Sequence, residues 1–113
     1  MPRMATYNAG EVVIVPFPFT DREASKRRPA LVCSSDDYNR ESGHVVLAMI
    51  TSSAHTTWPG DVAVRDLGVA GLPVASKVRW KLFTLDASLV LRRAGAISPR
   101  DRKACRGKQP VVI

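Results

Sequence analysis

The apolar stretches of this chain are short, and each is cut off. EVVIVPFPF, ALVC, HVVLAMITS, DVAV and SKVRWKLFT are rich in β-branched and aromatic residues, and proline, glycine or polar clusters separate them. Runs of this length and chemistry favour strands over long helices. They predict strands at 11–16, from Pro29 into ALVCS, at 44–51, at 61–65 and at about 76–84. Pro16 and Pro18 are expected to end pairing of the first strand, because proline donates no hydrogen bond. DDYNRESG reads as a turn or a single helical turn, and LDASLV as a helical turn. The pattern of LVLRRAGAI allows either a last strand or the end of a helix. Ser98 with Asp101 is a candidate capping box for a C-terminal helix, which Gly107 and Pro110 should keep short or frayed. The expected fold is mainly β: a compact antiparallel barrel or tightly curled sheet with one or two short helices.

A chain of 113 residues suits a single domain with one core, here 1–113, with 1–9 as a loose leader. Seventeen Lys and Arg face ten Asp and Glu, a net charge of +7, which favours a polyanionic partner such as nucleic acid or an acidic protein. Cys33 and Cys105 are too few and too far apart in sequence for a disulfide framework or a zinc site, and read as free thiols. MPRMATYNAG has no apolar core of signal-peptide length, and no run approaches the ~18 apolar residues of a membrane span. A cytoplasmic protein with no membrane association is expected.

The longer connections, 18–28 and 52–60, are where function is expected to sit. The first carries Asp21, Arg22, Glu23, Lys26, Arg27 and Arg28. On composition it is a solvated polar loop, but Arg28 lies at the mouth of the second strand, beside the rigid Pro29. Thr51 and Ser52 end the third strand with two hydroxyls able to donate to a phosphate. In Lys77-Val78-Arg79-Trp80-Lys81, alternation puts Lys77, Arg79 and Lys81 on one face and Val78 and Trp80 on the other. That is either a backbone-binding stripe or a solvated outer face. His44 and His55 are isolated and lack metal-ligand spacing. There is no glycine-rich phosphate loop and no G-x-S-x-G. No metal or cofactor is expected. RNA cleavage requires few protein groups, since the 2′-hydroxyl is the nucleophile. A base must take its proton, cations must stabilise the phosphate, and an acid must protonate the leaving 5′-oxygen.

GEVVIVPFPFTDREASKRRPALV, then MITSS, then AGLPVASKVRWKLFTLD with RRAGAIS, resembles the MazF/PemK toxins, the ribosome-independent mRNA interferases of type II toxin–antitoxin systems. The similarity runs from about Gly10 to Ser98, and the RPALV block is its most specific part. The resemblance implies a plug-like SH3-type barrel shared with CcdB, a homodimer, and metal-independent cleavage of single-stranded RNA leaving a 2′,3′-cyclic phosphate. It also implies an antitoxin whose acidic tail occupies the RNA groove. Arg28 matches the family's catalytic arginine before proline, and Glu23 falls where some members carry an active-site glutamate. Thr51 and Ser52 match the strand-end hydroxyls, and Arg79 an arginine that some members use as general acid. Thr20, Lys26, Arg27, Ser52, Lys77 and Lys81 are the expected RNA contacts. Lys81 is a departure: several members have an aspartate there, proposed as general base, so that role would pass to Glu23 or to water. The alternatives are a non-catalytic toxin of the same barrel that binds a protein such as DNA gyrase, or a degenerate member that binds RNA or antitoxin without cutting.

Overall fold

The computed structural model describes residues 6–17 and 26–110. Six antiparallel strands form one curled sheet, β1 (Glu11–Phe17), β2 (Lys26–Val32), β3 (His44–Ser52), β4 (Val62–Ala63), β5 (Ser76–Asp86) and β6 (Arg92–Ala96). Their spatial order is β4-β5-β3-β2-β1-β6. Helices α1 (Asp36–Ser42), α2 (Leu67–Ala70) and α3 (Pro99–Lys108) decorate it, with a 3-10 turn at Ala87–Leu89. The fold is the mainly β, half-barrel arrangement that the short apolar runs call for.

The alternation of each strand supplies two cores, one on either face of the sheet. Val12, Leu31, Ala48, Ile50 and Val78 pack with Ala70 of α2 and Cys105 of α3. Val13, Val15, Ala30, Val32, Val45, Leu47 and Leu85 pack on the opposite face with Val90 and Tyr7. Burying a Val, Leu or Ile side chain is worth about 1.5–3 kcal/mol, so the sheet is held from both sides. Tyr7 thus belongs to a core, and the described part of the expected leader is tied down: Asn39 Nδ2 donates to Tyr7 O at 2.7 Å.

Several elements differ from expectation for local reasons. β1 continues through Pro16 to Phe17, which pairs with Lys26. β6 pairs with β1 only as far as Ile14, so on that side Pro16 has no neighbour that needs its missing N–H. In consequence Lys26, Arg27 and Arg28 are strand residues of β2 and not loop. The run at 61–65 forms a strand over only Val62–Ala63; Val64 N still donates to Ser76 O of β5 at 2.9 Å, and the amides after it leave the sheet. The N–H groups of Arg65 and Asp66 donate to the buried carboxylate of Asp101, at 3.0 Å each to the nearer oxygen. That carboxylate comes from α3, where Ser98 caps the helix by accepting from Asp101 N at 3.3 Å. Half of the expected capping box is therefore present, and the acidic half has been diverted to the end of β4. The connection 66–75 contains α2, which meets β6 backbone to backbone: a Cβ on Gly71 would lie 2.2 Å from Ala94 O, and one on Gly95 2.3 Å from Val69 O. LVLRRAGAI resolves as a strand, β6.

Cys33 and Cys105 are free thiols that line one cavity of about 430 Å³ between β2 and α3. Burial pushes Cys33 up to about 12 and Cys105 up to about 11, and each thiol is therefore protonated at neutral pH.

Candidate active site

One face of the sheet changes character along its strands. β3 presents buried Val45 and Leu47, then half-buried Met49 and Thr51. β2 presents Val32 and Ala30, then Arg28; β1 presents Val13 and Val15, then Phe17. On β5 the same face carries Leu85 and Phe83, then Arg79 and Lys77. Between these two pairs β5 bulges, with Met49 opposite Arg79 but Ala48 opposite Leu82. The extra residues, Trp80 and Lys81, bend the strand and keep the phase of the pleat, since two residues are one full period. The apolar end of this face is core and its polar end is the candidate site.

The register brings the site residues together. Ala30 pairs with Met49. Continued two residues toward the strand ends, that register sets Arg28 across from Thr51. Thr51 pairs on its other side with Lys77. Three strands thus place Arg28, Thr51 and Lys77 in one row, with Arg79 one pleat along. The Arg28 guanidinium lies over the Phe17 ring, 4.8 Å from its centroid. Its Nε is buried and has no hydrogen-bond partner among the described residues. A buried donor without a partner is costly, about 1–3 kcal/mol, and is a group held ready for an acceptor.

Arg79 is held differently. Its Nε donates to Asp61 Oδ1 at 3.2 Å and its Nη2 to Asp61 Oδ2 at 2.9 Å, a two-point guanidinium–carboxylate pair. Nη2 also donates to Thr56 O at 2.6 Å, and Nη1 makes none of these bonds. The Lys77 ammonium is buried, donates to His55 O, and lies 3.9 Å from Asp61 Oδ2. Two cations therefore pin the 52–60 loop to β5. Asp61 is almost fully buried beneath them, and the Arg79 guanidinium bonded to it holds its carboxyl below the usual carboxylate range. Desolvation pulls the other way and loses.

The loop closes in a turn that its sequence specifies. Asp61 N donates to Trp58 O at 3.1 Å across Trp58-Pro59-Gly60-Asp61. Gly60 has φ +85, the third position of a type II turn, and Pro59 fits the second. Asp61 returns the contact, its Oδ2 accepting from Trp58 N at 2.9 Å. Trp80 Nε1 bonds Gly60 O at 2.8 Å and supports the turn from below. The Trp58 ring then covers Arg79, whose guanidinium carbon is 4.3 Å from the ring centroid, and the Lys81 ammonium is 5.2 Å from it.

Not every candidate converges. Thr20 and Glu23 lie outside the described residues. Lys26 is exposed at the start of β2 on the Arg28 face by alternation, whereas Arg27 faces the other side and lines a groove with Ile14, Pro29 and Leu72. Ser52 alternates away from Thr51, and its Oγ accepts from Ala54 N at 3.2 Å. Lys77 is structural in its bonding, not a member of an open cationic stripe. Asp61 and Trp58 escaped the sequence reading, although the W-P-G-D spacing is a legible turn signature. Among the described residues, no three His, Cys, Asp or Glu side chains gather as metal ligands. No helix there is long and apolar enough to cross a membrane.

The profile of the PemK-like, MazF-like toxins of type II toxin–antitoxin systems matches residues 8–108. The chain belongs to this family. Among solved structures, MazF of Deinococcus radiodurans is 28% identical, with 92% of this chain and 93% of that chain covered and a TM-score of 0.70. A MazE–MazF crystal form from the same organism is 27% identical, covers 92% of each chain and has a TM-score of 0.71. An endoribonuclease in complex with its cognate antitoxin from a Mycobacterial species shares the fold at 20% identity, a TM-score of 0.70, and coverage of 88% of this chain and 87% of that one. No curated protein matches the chain. As a MazF/PemK toxin, the chain carries its RPALV block in β2, and Arg28 of that block stands at the polar end of the sheet face described above.

Proposed function

We propose that this MazF/PemK toxin is a metal-independent, ribosome-independent endoribonuclease that cuts single-stranded mRNA at a short sequence. The observation that carries the reading is Arg28: a guanidinium with a buried, unpartnered Nε on the sheet face that also bears Thr51 and Arg79. A phosphate oxygen is the acceptor such a group lacks.

In this mechanism the 2′-oxygen attacks the adjacent phosphorus while the P–O5′ bond breaks, leaving a 2′,3′-cyclic phosphate and a 5′-hydroxyl. Arg28 and Arg79 Nη1 bind the non-bridging oxygens and stabilise the added negative charge. The Thr51 hydroxyl donates to the same phosphate. A base removes the 2′-proton, and the 5′-oxygen takes up a proton as it leaves. Asp61 is a poor base because Arg79, Lys77 and the Trp58 amide already occupy its oxygens. In this reading the base is Glu23 or a water molecule, and Asp61 orients Arg79. In place of a carboxylate at 81, Lys81 supplies a further cation for the RNA backbone.

The reading includes a homodimer acting in the cytoplasm and inhibition by a cognate antitoxin with an acidic tail. The surplus of seven positive charges serves both ligands. The deciding experiment is incubation of the purified protein with a long RNA in EDTA. Discrete fragments with cyclic-phosphate ends are expected. Intact RNA at stoichiometric protein would sink the nuclease reading.

A further inference from the structure

An exposed tryptophan on a loop is usually mobile. The backbone of Trp58 is tied down, its N–H and C=O both bonded to Asp61, while the residue remains 44% exposed. The type II turn at Pro59–Gly60 fixes its entry angle, and the carbonyls of His55 and Thr56 just before it are held by Lys77 and Arg79. The chain therefore uses two buried or half-buried cations, a buried carboxylate and a Pro-Gly turn to present one large apolar ring to water. Packing does not explain this, since Trp58 belongs to neither core cluster.

The ring's neighbours say what it suits. Arg79 and Lys81 lie over the ring, 4.3 and 5.2 Å from its centroid, so two positive charges pack on an aromatic ring that is still 44% exposed. A nucleotide has the complementary pair, a flat π-face and an anionic phosphate. Cations next to an aromatic platform are the recurring solution for holding single-stranded nucleic acid. The cations also draw on the ring's negative face, which makes it a better partner for a stacked base.

We infer that Trp58 is a stacking platform for one unpaired nucleobase of the RNA, flanking the phosphate bound by Arg79, and that it contributes to the choice of cleavage sequence. The inference rests on the RNA reading above. A purine covers more of the indole than a pyrimidine does, so the position read by Trp58 favours a purine.

The test separates binding from cutting. Dissociation constants are measured for a short fully 2′-O-methylated oligoribonucleotide, which cannot be cleaved, with the intact protein and its W58F, W58L and W58A variants. Thermal unfolding checks that each is folded. W58F should bind within about threefold of the parent, whereas W58L and W58A should weaken binding at least about fivefold. An oligonucleotide series with a single abasic site moved along it should contain one position at which parent and W58A bind equally. Stacking should also quench tryptophan emission of the parent, a readout that needs no variant. Equal binding by parent and W58A, or a W58A loss that every abasic oligonucleotide leaves unchanged, overturns the platform. Binding without cleavage of the unmodified RNA overturns the nuclease reading and leaves the platform standing. No binding by the parent overturns the platform, and if unmodified RNA also stays intact the nuclease reading falls with it.

Discussion

Asp61 holds Arg79 at two points, Nε to Oδ1 at 3.2 Å and Nη2 to Oδ2 at 2.9 Å, and in doing so points the remaining nitrogen, Nη1, away from the pair. A guanidinium fixed this way is pre-organised: it loses little rotamer freedom when it meets a phosphate. Asp61→Asn keeps the shape of the carboxylate and removes its charge. The substitution should lower kcat more than it raises KM, with a stability loss of about 3 kcal/mol from leaving buried Lys77 and partly buried Arg79 without their counter-ion. Steady-state cleavage of an oligonucleotide and denaturant unfolding measure the two effects. An unchanged kcat would remove Asp61 from any positioning role.

Arg28 is the opposite case, a guanidinium whose Nε has no protein partner among the described residues. Its replacement by alanine should lower cleavage at least about 100-fold, the scale for loss of one charge-stabilising donor. Thermal unfolding should move little, since relief of the buried unpartnered donor offsets loss of the contact with the Phe17 ring. Lysine should not restore activity, because a point charge cannot reproduce the fork. Near-normal cleavage by Arg28→Ala would place the catalytic centre elsewhere.

Lys81 is exposed beside the Trp58 ring. If it meets the RNA backbone, Lys81→Ala weakens binding equally for all sequences and reduces the slope of log K against log salt by about 1. A change in sequence preference, with the slope intact, would show a base contact instead.

The acid limb of stability should follow two carboxylates. Arg100, and after it Ser98, hold Asp66 down at about 2, and Arg79 lowers Asp61. Both groups bind protons less tightly folded than unfolded, where the ordinary value is 3.8. Their contribution is therefore complete above about pH 4 and is lost as pH falls toward 2. Thermal midpoints between pH 5 and 2 should drop, and Asp66→Asn should flatten the lower part of that fall. An unaltered profile in the variant would assign the acid limb to other groups.

How much of this was legible depended on the range of the interaction. β1, β3 and β5 lay open in the sequence because their apolar residues alternate within a few positions. Arg28 was legible through its block, RRPAL, although as the mouth of a loop and not as a strand residue. The extension of β2 through Lys26 depends on Pro16 being tolerated, which in turn depends on how far β6 runs along β1. Asp61 was hidden because its partner stands eighteen residues away, across a turn and a strand. Lys77 looked like one of three equivalent exposed cations until the 52–60 loop folded over it. Asp101 had the spacing of a capping residue, and only the tertiary fold reveals that its carboxylate serves Arg65 and Asp66.

That last contact also carries a consequence in time. The loop with Trp58 and Asp61 leads directly into β4, and the amides just past β4, those of Arg65 and Asp66, are held by a carboxylate thirty-five residues beyond Asp66 in the chain. On the ribosome, Arg28, Thr51 and Arg79 are all made before Asp101 has left the exit tunnel. The contact that anchors the end of β4 therefore forms only after these three residues have been made.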